Sequence, residues 1–165
     1  MSLFPPKIIY STCRMATFAN DYQFGTAKEI PTMPILESFF KTPLTRRGGY
    51  AVFDYDNEEA KSNNVMHIDL KTRRVPHNQY ATAIIGANKV EIAEKNPNRT
   101  YWFVFKYIDG LYGIKYSKEL FDTFEHSDFS RGDRTDFHNN PQHCYFIPSE
   151  KLMSITDQTG DKSPE

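Results

Sequence analysis

The chain has 165 residues, of which 15% are aromatic, and its 20 basic and 21 acidic side chains give a formal net charge of −1 at pH 7. This length suits one domain with a real core, and the near-neutral balance counts against a protein that coats DNA without regard to sequence. No apolar run approaches the ~20 residues needed to cross a bilayer. With no signal peptide visible, the sequence predicts an intracellular, cytoplasmic protein that does not contact membranes.

The first predicted element is a helix-like segment from Glu29 to Phe40. Its apolar residues recur at helical spacing, and Pro31 suits a first turn or a kink better than a helix middle. Glu29 therefore falls just before or within the first turn. It is either a solvated glutamate of that turn or a member of a functional site.

Two acid-bearing strands are predicted next. The first runs from Tyr50 to Tyr55 and carries Asp54, and Asp56 begins the polar turn that follows it. The second runs from Val65 to Arg73. Its apolar residues alternate with polar ones, so that one face of the strand carries the core residues and the other face carries His67, Asp69 and Lys71.

The remaining predictions follow in chain order. Apolar patterning and turn residues predict a helix from Asn88 to Lys95, a strand from Thr100 to Tyr107, a tight turn, a strand from Leu111 to Tyr116, and a short helix from an N-cap at Ser117 to Phe124. Residues 125–142 are predicted as a polar loop. The sequence predicts a single domain, residues 1–156, followed by a disordered polar tail, residues 157–165.

The acids of the two neighbouring strands predict a metal site. Mg²⁺ prefers oxygen ligands, and Asp54 or Asp56, Asp69 and the backbone carbonyl of Leu70 are three candidate donors. Of the two upstream acids we favour Asp54, because an acid within a strand is held more firmly than one on a turn. Lys71 shares the face of Asp69 and would sit near an attacking water or the phosphorus centre.

At these residues the chain resembles the PD-(D/E)xK nuclease superfamily, whose core is a helix, a three-strand meander, a helix and a further strand. The resemblance covers roughly residues 24–116. It implies an α+β restriction endonuclease-like fold, with a central mixed sheet of about five strands flanked by helices. It also implies that Asp54 is the first acid, Asp69 and Lys71 form the D-x-K pair, and Glu29 is the helix glutamate added by many members.

The chain departs from the family pattern at three points. Phe53 replaces the proline before the first acid, and Asp69 stands where glutamate is more usual. The Gln-x-x-x-Tyr motif of the exonuclease branch is missing at its expected spacing. The sequence therefore favours the endonuclease branch over the exonuclease branch.

Four basic residues are candidates for nucleic acid contacts. Arg73 shares the strand face of Asp69, Lys89 lies near a predicted helix start, and Arg46 and Arg47 lie in a basic turn. The alternative for Lys89 is an ordinary surface lysine, and the alternative for the turn is a solvated loop.

Together these features predict a DNA endonuclease that depends on Mg²⁺ or Mn²⁺ and hydrolyses phosphodiester bonds with a metal-activated water. DNA is the expected partner, and a homodimer is possible. Two alternatives stay open. One is an inactive nuclease-fold module that binds nucleic acid or protein. The other is an unrelated α+β domain in which Asp69 and Lys71 form a surface ion pair worth ~0–1 kcal/mol.

Overall fold

A computed structural model describes residues 32–130 and 142–155 as a mixed α+β protein. Its helices are α1 (32–40), α2 (Ala87–Lys95) and α3 (Lys118–Phe121), with 3-10 turns at Glu58–Ala60 and Ser149–Lys151. Its strands are β1 (Thr45–Arg46), β2 (Tyr55–Asp56), β3 (Met66–Thr72), β4 (Thr82–Gly86), β5 (Thr100–Tyr107), β6 (Gly110–Lys115), β7 (Glu125–Phe129), β8 (Gln142–Pro148) and β9 (Met153–Ile155).

The strands form two sheets. The central sheet has six strands in the order β1-β2-β3-β5-β6-β9, and the smaller sheet has three in the order β4-β8-β7. β3 and β5 are parallel neighbours, whereas the other paired strands are antiparallel. Parallel neighbours need a long crossover connection. Here the crossover passes through β4 and α2, which brings both elements next to the centre of the main sheet.

The central sheet is covered on both faces. Helix α1 packs Leu36 against Ile68 and Leu70 of β3 on one face. On the other face, Phe103 and Phe105 of β5 belong to the core that includes these residues of α2, β4 and β8: Val90, Ala93, Ile85 and Ile147. Since β3 alternates, its polar residues Asp69 and Lys71 lie on the face beneath α2 rather than on an open surface.

Much of the predicted element order is confirmed. The predicted strand Val65 to Arg73 is β3, the predicted strand Thr100 to Tyr107 is β5, and the predicted helix Asn88 to Lys95 is α2 within one residue. Ser117 caps α3 as predicted, because its Oγ accepts a hydrogen bond of 3.1 Å from the backbone N–H of Leu120.

Three predictions are wrong in detail. The strand predicted from Tyr50 to Tyr55 is shortened to β2, because Gly48 and Gly49 form a turn (φ +64° at Gly49) that leaves Tyr50 91% exposed. Part of the loop predicted at residues 125–142 is the strand β7, which pairs with β8. The main sheet has six strands rather than about five, and the three-stranded sheet was not predicted.

Some predictions lie outside the described residues, among them Glu29 and the tail 157–165. Within residues 32–130 and 142–155, no helix combines the length and the apolar character needed to cross a bilayer.

Candidate functional site

Asp69 is the centre of the site. It lies in the middle of β3 and is 0% exposed, because Phe103 of β5 is its cross-strand neighbour and α2 packs above it. Lys89 of α2 donates a short hydrogen bond to Asp69 Oδ1. Lys71 Nζ lies 3.7 Å from Asp69 Oδ2, and that oxygen is buried without a hydrogen-bond partner among the residues that the structure describes.

Asp54 reaches the same place from the neighbouring segment. Its Oδ2 accepts a hydrogen bond of 2.6 Å from the backbone N–H of Leu70, and its own N–H donates to Ile68 O at 2.9 Å. The carboxylate of Asp54 is therefore fixed beside the residue between Asp69 and Lys71. Asp54 precedes β2 instead of lying within a long strand, and its carboxylate is bonded to the backbone next to Asp69 and Lys71.

The charges within this cluster set the ionisation of its members. Burial opposes the ionisation of Asp69, but the positive charges of Lys71 and Lys89 outweigh it and hold the pKa of Asp69 below its usual range. Burial also opposes protonation of Lys89, yet the charge of Asp69 and the hydrogen bond to it raise the lysine's pKa above normal. Lys89 is thus the permanent counter-ion of Asp69.

Lys71 behaves differently. The negative charge of Asp69 favours its protonated form, but burial and repulsion from Lys89 prevail, so the pKa of Lys71 is lowered. Asp54 favours the charged form of both lysines, which places its carboxylate in the same electrostatic unit. Lys71 is also the more accessible lysine, with 32% of its side chain exposed against 15% for Lys89. It is the lysine of the cluster that is more open to solvent.

The donor atoms fit a hard divalent cation. Asp54 and Asp69 supply carboxylate oxygens, and the buried Asp69 Oδ2 lacks the hydrogen bond that a carboxylate oxygen removed from water normally has. The ammonium groups of Lys71 and Lys89 offset the charge of the two acids. A bound cation would relieve the unsatisfied oxygen of Asp69 and compete with the lysines for the carboxylates.

Asp56, the alternative ligand, has another partner. It lies in β2 and binds the Arg47 guanidinium through both oxygens, at 2.7 and 2.9 Å, while the N–H of Glu58 donates to Oδ1 at 3.1 Å. The bond to Arg47 holds the pKa of Asp56 below its usual range. The carboxylate of Asp56 is therefore already paired with Arg47, and this pair is separate from the Asp54–Asp69 cluster.

Asp56, Glu58 and His67 form a second group whose ligand atoms lie within 4.8 Å of one another and could hold a metal. Arginines already occupy it: Arg99 Nη1 lies 2.9 Å from both Glu58 Oε2 and His67 Nε2. Burial lowers the pKa of His67, which favours the neutral ring. These contacts account for the group as an ion-pair network beside the pairing of β2 with β3.

The four predicted nucleic acid contacts have different environments. Arg46 lies half-buried in β1, and Arg47 pairs with Asp56 and, at 3.5 Å, with Glu59. The guanidinium of Arg73 lies 5.9 Å from the ring centroid of Phe105, on the face of Asp69. Lys89 is inside the acid cluster. Sequence reasoning missed its pairing with Asp69, because no local pattern links residues that meet only through the crossover of β3 to β5.

A surface cavity of about 500 Å³ opens where β4 begins and β8 ends, beside Tyr80, Thr82 and Pro148. None of the clustered acids and lysines lines it. The Asp54–Asp69 cluster and this cavity are therefore separate features.

Comparison with known proteins gives no further guide to the site. No protein-family model matches the chain, and a search of curated proteins finds no match.

Proposed function

We propose that the protein is a metal-dependent nuclease of the PD-(D/E)xK type, and specifically an endonuclease that hydrolyses DNA. The observation that carries the proposal is the bond from the backbone N–H of Leu70, the residue between Asp69 and Lys71, to the Asp54 carboxylate, together with the buried Asp69 Oδ2 that lacks a hydrogen bond among the described residues. Two acids and a lysine in this arrangement are the groups that the D-x-K chemistry requires.

The element order supports the same proposal. Helix α1 precedes the antiparallel meander β1-β2-β3, after which β4 of the smaller sheet and then α2 lead to β5, and β5 lies parallel to β3. With β4 set aside, this is the order of elements expected for a restriction endonuclease-like core. Asp54 immediately precedes β2, and the D-x-K pair lies in β3.

Each residue has a distinct role in the proposed reaction. Asp54 and Asp69 would hold Mg²⁺ or Mn²⁺, together with the carbonyl of Leu70. The cation would supply Lewis acidity, lowering the pKa of a water and shielding the phosphate. Lys71 would donate hydrogen bonds to the phosphate oxygens as negative charge develops there. Lys89 would keep Asp69 ionised and orient its carboxylate.

A second candidate function is an inactive nuclease-fold module that binds nucleic acid or protein. The favouring observation is that Asp69 is fully buried and already paired with Lys89. A buried carboxylate paired with a lysine can stabilise a fold without any metal. The two candidates differ in one respect that can be measured, which is whether the cluster supports hydrolysis.

The test incubates the full chain with supercoiled plasmid, single-stranded DNA, branched DNA and RNA, in Mg²⁺, in Mn²⁺ and with excess chelator. Asp54→Asn is the informative variant, because asparagine can still accept the hydrogen bond of Leu70 while losing its charge. Asp122→Asn is the matched control, since Asp122 forms an exposed ion pair with Lys118 at 3.2 Å.

The proposal predicts nicking that depends on the metal and stops when chelator is added. Asp54→Asn should abolish the nicking, and Asp122→Asn should leave it unchanged. Full cleavage by a folded Asp54→Asn variant would refute the assigned site. Absence of cleavage of every substrate by the folded wild-type chain would favour the binding module.

A further inference from the structure

A second polar feature lies on the same sheet face, beyond the nuclease cluster. His77 is held by Asp109 through two contacts: the backbone N–H of His77 donates to Oδ1 at 2.9 Å, and its ring Nδ1 lies 2.7 Å from Oδ2. The imidazole also stacks on Tyr112, with ring centroids 4.1 Å apart and planes 11° apart. A surface histidine fixed by three contacts is pre-organised to present its other nitrogen, Nε2.

That nitrogen has no hydrogen-bond partner among residues 32–130 and 142–155, and 31% of the His77 side chain is exposed. When the ring is protonated, Nδ1 donates to Asp109 and Nε2 donates outward. The geometry therefore suits an anionic ligand at Nε2.

His77 and Lys71 lie at opposite ends of one row of cross-strand neighbours. Lys71 of β3 is the neighbour of Phe105 in β5, and Phe105 is the neighbour of Tyr112 in β6. His77 lies on the Tyr112 end of this row. Between the two ends, the guanidinium of Arg73 lies over Phe105, and its charge lowers the pKa of Asp69, as do those of the two lysines.

The segment after β3 is anchored along this row. The N–H of Arg73 donates to Lys106 O at 2.8 Å, and the N–H of Ile108 donates to Val75 O at 3.1 Å. These bonds tie residues 73–77 to the end of β5 and to the β5–β6 turn that carries Asp109. Phe105 itself is fully buried, whereas Lys71, Arg73 and His77 are each partly exposed along this row, and we call these three basic groups the basic strip.

We infer that the basic strip is a phosphate track for one strand of nucleic acid, in which His77 binds a phosphate away from the scissile bond. This inference rests on the proposed nuclease function. The row from β3 to β6 spans two strand spacings, about 10 Å. A row of this length can contact more than one phosphate of a single strand.

The test measures nucleic acid binding separately from cleavage. Wild-type chain and the variants His77→Ala, His77→Gln and His77→Lys are titrated with a labelled DNA duplex in chelator, at one pH and several salt concentrations. His77→Gln preserves polarity without charge, and His77→Lys restores a cation. His143→Ala is the matched control, because His143 is an exposed histidine whose Nδ1 lies 3.1 Å from Asp128 on the smaller sheet.

The inference expects His77→Ala and His77→Gln to weaken binding by roughly three- to tenfold and to lower the slope of log affinity against log salt by about 0.9, the loss of one phosphate contact. His77→Lys should recover most of the slope, and His143→Ala should match wild type. An unchanged slope in folded His77→Gln overturns the inference while leaving the nuclease proposal intact if wild type still cleaves. If wild type binds no duplex, the inference is overturned as well, and the cleavage panel then decides the proposed function independently.

Discussion

Lys89 of helix α2 donates a hydrogen bond to Oδ1 of Asp69, twenty residues earlier in the chain and fully buried in β3. The pair joins the crossover helix to the centre of the main sheet. Because an unpaired charge is costly in the interior, removing either partner should be far more damaging than removing a surface ion pair.

We therefore expect Lys89→Met to lower the free energy of unfolding by about 3 kcal/mol, since it removes the cation that is hydrogen-bonded to the buried carboxylate of Asp69 and leaves Lys71 beside it at 3.7 Å without a hydrogen bond. Chemical denaturation monitored by circular dichroism measures the change. The double variant Asp69→Asn/Lys89→Met should be less destabilised than the sum of the single variants, because it buries no lone charge. A loss below ~1 kcal/mol in Lys89→Met would mean that the pair is no stronger than a solvated one.

Lys71 should matter to turnover more than to stability. It is the more exposed lysine of the cluster, and in the proposed reaction it stabilises charge on a phosphate. Lys71→Ala should reduce kcat at least ~100-fold, the scale expected for losing one group that stabilises the transition state. The comparison is Lys118→Ala, which removes an exposed lysine that pairs with Glu94 and Asp122. Equal activity in the two folded variants would remove Lys71 from the mechanism.

Asp56 should make stability depend on acidity. Its bond to Arg47 lowers its pKa in the folded protein, so the folded state binds a proton less readily than the unfolded chain. The resulting stabilisation is complete above the ordinary aspartate pKa of ~3.9 and is lost as pH falls through the lower folded-state value. Asp56→Asn should be less stable than wild type at pH 6, and the difference should shrink below pH ~4. Melting curves across this range measure it, and a difference that grows on acidification would contradict the assigned ion pair.

Gly113 allows β9 to approach β6. A Cβ at this position would lie 2.8 Å from Ile155 Cδ1 and 3.2 Å from the backbone oxygen of Phe103. We expect Gly113→Ala to destabilise the fold by about 1–3 kcal/mol through overpacking. Adding Ile155→Val removes the Cδ1 atom and should restore part of the loss, as measured by denaturant titration. A Gly113→Ala variant as stable as wild type would show that β9 can move aside at little cost.

The sequence predicted best where one strand or helix carries its own pattern. The alternation in β3 and the apolar run of β5 identify those strands, because both are buried through their own side chains. The strand β7 was not predicted because all five of its residues, Glu125–Phe129, are exposed. Its strand conformation depends on pairing with β8, and the alternation of apolar and polar residues within β7 gives no sign of that pairing.

Within the candidate site, too, some residues could be predicted from a local sequence pattern and others could not. The D-x-K pair could be found from the spacing of Asp69 and Lys71 within one strand. The position of Asp54 was predicted from a longer strand than exists, and the actual anchor is a hydrogen bond from the backbone of Leu70. Lys89 and His77 reach their partners only after the β3–β5 crossover and the β5–β6 turn are formed. Their roles therefore follow from tertiary packing and not from any local spacing.

The central claim is that Asp54 and Asp69 together hold a divalent cation, and the most direct measurement is Mn²⁺ binding followed by electron paramagnetic resonance. Wild-type protein is titrated beside Asp54→Asn, Asp69→Asn and Asp56→Asn, each first shown to be folded. We predict that wild type and Asp56→Asn bind Mn²⁺, that Mg²⁺ displaces it, and that Asp54→Asn and Asp69→Asn lose the site. Retention of the bound ion by Asp54→Asn, or its loss only in Asp56→Asn, would contradict the account.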